Sequence, residues 1–278
     1  MGTVEQGPRD DVVLWEVADG IATVTLNRPE ARNAINQAMG SRLPKVIAEL
    51  DGRDDVAAIV LTGADPAFCA GADLKELGDT TKPTGEAGMA LPGGRGPFAA
   101  RTTPLIGAVN GVAITGGFEI ALNCDFLVAS ERARFADTHA RVGILPGWGL
   151  TLHLCQSIGV RRARELSVTG NFLSAQQAYE WGLVNHVVPH DDLLPFARSL
   201  AAGIVDNNRP AVVEMMALYD RVAATTVDEA WAIEAEVNAD WIRRMYDPAA
   251  VAARRDGVVA RGRSQTSDTE NRPEGDPT

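Results

Sequence analysis

Aromatic residues are scarce in this sequence, only 5% of its 278 residues. Any core must therefore be built from Ala, Val, Leu and Ile. A hydrophobic fraction of 45% is still enough for a sizeable interior, of the kind that suits helices packed on buried strands. Positive charge is also in deficit. The formal net charge of −11 is the reverse of a nucleic-acid binder's basic footprint, so no nucleic-acid partner is expected. A small basic pocket for an anionic ligand stays compatible with that balance. Cysteine is sparse, and Cys69, Cys124 and Cys155 form no CxxC pair. That reads as a reducing, cytoplasmic setting. No apolar run approaches the ~20 residues of a spanning helix. No N-terminal stretch joins a charged region to a continuous apolar run, so neither a membrane segment nor a signal peptide is expected.

Several common motifs are missing as well. There is no GxxxxGK[ST] phosphate loop, no HExxH, no GxSxG elbow, and no GxGxxG after a strand. The histidines are scattered, so no metal site is expected. Nothing implies a redox cofactor. Cys69 and Cys124 read as small buried fillers rather than nucleophiles.

The chain alternates strand-like and helix-like segments. "VVLWEVADGIATVTLNRP" is a hairpin turning at Asp19-Gly20. A helix over "NAINQAMGSRLPKVIAEL" should kink or restart at Pro44. "VAAIVLTG" and "LIGAVNGVAI" read as buried strands, and "DFLVASERARFAD" as two short strands about a turn. Gly78 to Pro104 has little periodicity, as in a functional loop. Ser174 and Gln177 have capping-box spacing, with Gly182 at the far end of that helix. Three segments follow from this reading: an α/β core over 11–205, a helical region over 206–263, and a polar tail over 264–278 that is expected to be disordered. The order strand, glycine turn, helix occurs at 56–77 and again at 105–124.

One stretch poses the functional question. "GVAITGGFEIALNCDF" is apolar apart from Glu119 and Asn123. A buried carboxylate without a partner is costly, so Glu119 either meets water by helical phase or works inside a cavity. A glycine before a helix lets a main-chain N–H approach a ligand at the positive end of the helix. Two such turns could clamp one oxygen that becomes negative during a reaction, as an oxyanion hole does. Ordinary strand-to-helix turns would leave the same pattern.

"AFCAGADLKEL", "AVNGVAITGGFEIALNCD" and "FADTHARVGILPGWG" together resemble the crotonase (enoyl-CoA hydratase/isomerase) superfamily. "LNRPEARNAIN" and "TGNFLSAQQAYEWGLVNHVVP" fit it in the same order. The resemblance covers roughly Val12 to Arg263. It implies an α/β fold, a spiral of ββα units with a C-terminal helical trimerisation region, as homotrimers or dimers of trimers. It implies an acyl-CoA substrate and no further cofactor. It also implies that the N–H groups of Ala72 and Gly116 form the oxyanion hole for the thioester carbonyl and that Glu119 is the catalytic acid–base. Ala70 falls where the family's backbone holds the adenine. Arg32 and Lys75 fall near the coenzyme A phosphates, with a solvated surface charge as the alternative for both. The 78–104 loop falls over the acyl chain.

The sequence departs from the hydratase pattern at one place. The second catalytic glutamate is replaced by His139. A Glu–Glu pair shares one proton because like charges raise one pKa. A Glu119–His139 pair holds the same single proton as carboxylate plus imidazolium. The leading expectation is therefore hydration of a trans-2-enoyl-CoA, with Glu119 activating water and His139 acting as acid or water-holder. A packing role for His139, a Δ3,Δ2-enoyl-CoA isomerase using Glu119 alone, a non-catalytic acyl-CoA binder and a thioester hydrolase are the alternatives. Asp137 is the lesser candidate for a helper, because its side chain need not point the same way.

Overall fold

Alternating residues make the first hairpin of the computed structural model, which describes residues 4–9, 11–78 and 96–270. Strand β1 (Glu5–Gln6) pairs antiparallel with β2 (Val13–Ala18), which turns into β3 (Ile21–Leu26). Asp19 and Gly20 both have positive φ, 53° and 77°, the turn whose twist matches a two-residue hairpin. Helix α1 (Gln37–Asp51) is capped by the Asn36 side chain, which accepts from the Met39 N–H, and it buries Met39, Leu43, Val46, Ile47 and Leu50. It runs unbroken through Pro44, contrary to the break expected there. Apolar side chains buried on both sides of the proline tie both halves to the core, and tertiary packing of this kind overrides local propensity.

The next three segments repeat one plan. Strand β4 (Ala58–Gly63) is followed by β5 (Ala67–Cys69) and α2 (Leu74–Leu77). Strand β6 (Leu105–Val109) is followed by β7 (Val112–Ile114) and α3 (Gly116–Leu122), then β8 (Phe126–Ser130) by β9 (Arg134–Ala136) and α4 (His139–Val142). The first strand of each unit joins a seven-stranded sheet, in which β3, β4, β6 and β8 run parallel side by side. The second strand joins a four-stranded sheet, in which β5, β7 and β9 are parallel neighbours. These are the ββα units of the expected spiral. The third is one more than the glycine turns reveal.

The segment 105–114, expected as one strand, is two. The chain changes sheets at Asn110 and Gly111. A Cβ on Gly111 would press on the Pro66 carbonyl oxygen, so only glycine lets the two corners meet. Asn110 locks them, accepting from the Gly63 N–H at 3.2 Å and donating to Asp65 at 2.8 Å and to the Ala67 carbonyl at 3.3 Å.

Helices α5 (Leu150–Ile158) and α6 (Val160–Thr169) follow, then β10 (Leu173–Ser174), α7 (Ala175–Glu180) with its Ser174–Gln177 capping box, and β11 (His186–Val188). Helix α8 (Leu193–Val205) lays Leu193, Ala197 and Ala201 against Ile21, Val60, Ile106 and Val128 of the large sheet. Helix α9 (Arg209–Ala223) spans the division between two compact units, which falls at Met216/Ala217 rather than at the expected 205/206. The second unit holds α10 (Val227–Met245) and α11 (Pro248–Glu270). Helix α11 takes in residues 264–270 of the expected disordered tail, because a helix once nucleated adds residues cheaply even where they are polar. Residues 271–278 lie outside the described residues. Among the described residues no helix is long and apolar enough to cross a membrane.

The close approach of β5 and α3 gives a stability test. A Cβ at Gly117 would collide with the Cys69 carbonyl oxygen and Cβ. We expect Gly117→Ala to lower unfolding free energy by about 1–3 kcal/mol, read from urea midpoints. An unchanged midpoint would mean that the contact is not tight.

Candidate active site

The parallel pairing of the small sheet sets the site. Cys69, Ala113 and Phe135 stand in register on β5, β7 and β9. Ala72, Gly116 and Thr138 each lie three residues further on. The turns that leave three parallel strands are thereby brought alongside one another, which is where open parallel sheets place ligands.

Glu119, in the first turn of α3, is only 2% exposed. The sequence left open whether it faces water or a cavity, and it is enclosed. Its Oε1 accepts from the main-chain N–H groups of Gly147 (3.1 Å) and Trp148 (2.7 Å). Those donors are fixed in turn by Asn123, whose side-chain amide donates to the Trp148 and Glu119 carbonyls, both at 2.8 Å. Asn123 and the Gly147–Trp148 turn are functional neighbours that the sequence did not point to beyond their polarity or glycine content. Oε2 is left toward the His139 ring, 3.6 Å from Nε2.

Ala72, one of the two expected amide donors, lies beside Gly116, the other. Ile35 bridges Ala72 by accepting the Asp73 N–H and donating to the Gly71 carbonyl. This pattern turns the Ala72 N–H to the opposite side. There Ala72 N lies 4.0 Å from the point where a Cβ on Gly116 would stand, with Ile35 Cδ1 at 3.1 Å and the Trp148 ring at 3.8 Å. Among the described residues, neither the Ala72 nor the Gly116 N–H is given to a protein acceptor. Thr115 holds Gly116 in place from an uncommon conformation, φ 54° and ψ −115°. Its N–H donates to Ala136, its carbonyl accepts the Glu119 N–H, and its hydroxyl meets that of Thr138 at 2.7 Å.

His139 is 5% exposed and stands at the start of α4. Asp137, the lesser candidate in the sequence, does point the same way. One of its oxygens accepts from His139 Nδ1 at 2.6 Å and from the His139 main-chain N–H at 3.1 Å. Burial works against the imidazolium, but the Asp137 hydrogen bond and then Glu119 outweigh it, pushing the His139 pKa up to about 9. Burial also opposes the Asp137 carboxylate, yet the bonds from His139 and Ser167 hold it below the usual carboxylate range. The site is therefore a carboxylate–imidazolium–carboxylate row beside two free N–H groups. It can take a proton at one end, give one in the middle, and stabilise an anion next to both.

Ala70 and Arg32 are joined through their main chains, and Lys75 lies in α2, which follows. The Ala70 N–H donates to the Arg32 carbonyl at 3.0 Å. Both Arg32 and Lys75 are exposed, as a phosphate contact or a surface charge would be. Asp73 caps α2, and the Arg28 bond outweighs the effect of burial to hold its carboxyl low. Asn33, fully buried, fixes this segment by donating to the Ala64 and Ala67 carbonyls, both at 2.7 Å. The middle of the expected acyl-covering loop, 79–95, lies outside the described residues. Cys69 and Cys124 are thiols pushed up by burial to about 12, in keeping with fillers. No group of three or more His, Cys, Asp or Glu able to hold a metal occurs among the described residues.

A second hydroxyl–imidazole–carboxylate row is not a site. His190 joins Ser130 Oγ (3.1 Å) to Asp65 (3.0 Å). Ser130, however, is fully buried and its Oγ already accepts the Arg132 N–H, so the hydroxyl has no access to a substrate.

A family model described as enoyl-CoA hydratase/isomerase matches residues 16–246. An Arabidopsis thaliana protein named "Probable enoyl-CoA hydratase 1, peroxisomal" is 38% identical over 222 residues, 78% of this chain and 81% of that one. The short-chain-enoyl-CoA hydratase of Clostridium acetobutylicum is 36% identical over 81% of this chain and 87% of its own. The crystal structure of an enoyl-CoA hydratase from Mycobacterium avium superposes with a TM-score of 0.70 at 46% identity, covering 82% of this chain and 96% of that one.

The charge row predicts a pH dependence of stability. The folded pKa of His139 is raised from 6.5 to about 9, so its stabilisation is complete below pH 6.5 and is lost as the pH rises through 9. The loss should be on the order of 2–3 kcal/mol. Urea titrations at pH 6 and pH 9.5 should show it in the native protein. His139→Gln should lack that slope, and equal slopes in both proteins would remove the imidazolium from the site.

Proposed function

The chain belongs to the enoyl-CoA hydratase/isomerase family, and on that premise we propose how the residues around Glu119 carry out its reaction. The protein is an enoyl-CoA hydratase. The thioester carbonyl of a trans-2-enoyl-CoA sits against the N–H groups of Ala72 and Gly116. Glu119 takes a proton from water, the hydroxide bonds to C3, and the electron pair of the double bond moves through C2 onto the carbonyl oxygen. The two N–H groups meet the enolate charge there, each worth about 3 kcal/mol of barrier. His139 then gives its Nε2 proton to C2, forming the 3-hydroxyacyl-CoA. Glu119 has gained one proton and His139 has lost one, so a transfer between Oε2 and Nε2, 3.6 Å apart, restores the starting state. That adjacency is the observation that carries the reading. It replaces the shared proton of two glutamates with that of a carboxylate–imidazolium pair.

Ala70, Arg32 and Lys75 hold the coenzyme A moiety, with no cofactor beyond the substrate's own. The enzyme works as a homotrimer or a dimer of trimers in the cytoplasm. The exposed Trp231, Ile242 and Met245 of α10 give the second unit apolar surface for neighbouring subunits, and static light scattering would give a mass of three or six chains.

Glu119→Gln should cut hydration of crotonyl-CoA by about 10²–10⁴-fold while leaving acyl-CoA binding within a few fold in calorimetry. Turnover like that of the native enzyme would end this role for Glu119. His139→Ala should cost a similar order in kcat, and full activity would demote His139 to packing. A parallel incubation with a 3-enoyl-CoA should give only slow 2-enoyl product. Isomerisation faster than hydration would favour the one-carboxylate mechanism.

A further inference from the structure

We propose that Asp137 is a positioning residue that decides which nitrogen of His139 delivers the proton. The inference rests on the hydration reading above. It begins from an oddity of the local chain. Asp137 lies at the end of β9 and is 2% exposed, where a side chain next to apolar strand residues would normally be apolar too. The chain instead buries a carboxylate and uses one oxygen twice, on the main-chain N–H of His139 and on its ring Nδ1. Ser167, on α6, adds to holding the same carboxyl below its usual range. His139 is thus fixed to the carboxylate at two points, its main chain and its ring.

The consequence is directional. An imidazolium has two N–H groups. With Nδ1–H given to Asp137 at 2.6 Å, that proton stays where it is. The ring can lose only the proton on Nε2, and Nε2 is the nitrogen that faces Glu119. After delivery to C2 the ring is a neutral Nδ1–H tautomer whose Nε2 lone pair points back at the newly protonated Glu119, so the proton returns along the same short path. Without Asp137 the ring could rotate, or lose the Nδ1 proton, and the Glu119–His139 pair would no longer reset in one step. The charged groups bearing on the ring are Asp137 from its own segment and Glu119 from α3. From α6, which packs on α4, Ser167 bears on Asp137 by lowering its carboxyl.

The test is Asp137→Asn, which keeps the shape and removes the charge. Three readouts are needed: kcat and KM for crotonyl-CoA, the pH profile of kcat, and the ring titration of His139 by NMR in protein labelled with ¹⁵N-histidine. The expected result is a kcat lower by about 10–100-fold with KM within a few fold, an alkaline limb moved down by at least one pH unit, and a His139 titration moved down in step. A purely structural Asp137 would lower stability without moving either pH readout, and that outcome overturns the proposal. If Asp137→Asn does not fold, Ser167→Ala loosens the carboxylate without changing a charge. It should move the His139 titration in the same direction by a smaller amount, and no movement would be equally fatal. Failure of the hydration reading looks different: His139→Ala would be fully active while Asp137→Asn still shifted the His139 resonances.

Discussion

One carboxylate enclosed in a protein needs partners, and the site is organised by how Glu119 finds them. Leaving such a group dry and unpaired would cost several kcal/mol or more. Here one oxygen is taken up by the N–H groups of Gly147 and Trp148. Those donors are dependable only because Asn123, one helical turn beyond Glu119, holds the Trp148 carbonyl. Helix α3 and the Gly147–Trp148 turn are thereby tied together. The second carboxylate oxygen is left toward His139.

Much of the site could be read from the chain, for a physical reason. Glycines beside buried strands and a lone acid in an apolar run are local signals, and they raised two amide donors beside Glu119, while Ala72 and Gly116 themselves were named by the family resemblance. The strand count was less legible. An apolar run of ten residues looks alike whether it is one buried strand or two that change sheets at a corner, and the corner at Asn110 is fixed by bonds to residues more than forty positions earlier. The third ββα unit lacks a glycine turn, so its two short strands were read without the helix that completes them. Asp137 could be named but not aimed, because its direction is set by its bonds to the His139 ring and main chain. Pro44 misled in the opposite sense. Its local cost was real, but the buried face of α1 outweighed it.

Thr115 is where these features touch. A threonine at φ 54° and ψ −115° occupies a region that favours glycine, at a cost on the order of 1–3 kcal/mol. Its side chain packs against Gly71, just before Ala72, and its hydroxyl meets Thr138, just before His139. Its carbonyl receives the Glu119 N–H, and the peptide after it carries the Gly116 N–H. Strain is tolerated here because the surrounding bonds over-determine the residue.

The proposed carbonyl-binding donors are peptide groups, and this has a consequence for how such a molecule changes over generations. Side-chain replacement at Ala72 leaves its N–H in place. Only proline could delete it, so recognition of the thioester is shielded from most codon changes. The proton carriers enjoy no such shelter, since each is a side chain that one nucleotide can exchange. The scaffold thereby separates an inheritance that is hard to lose, stabilisation of the enolate, from a part that is easily rewritten.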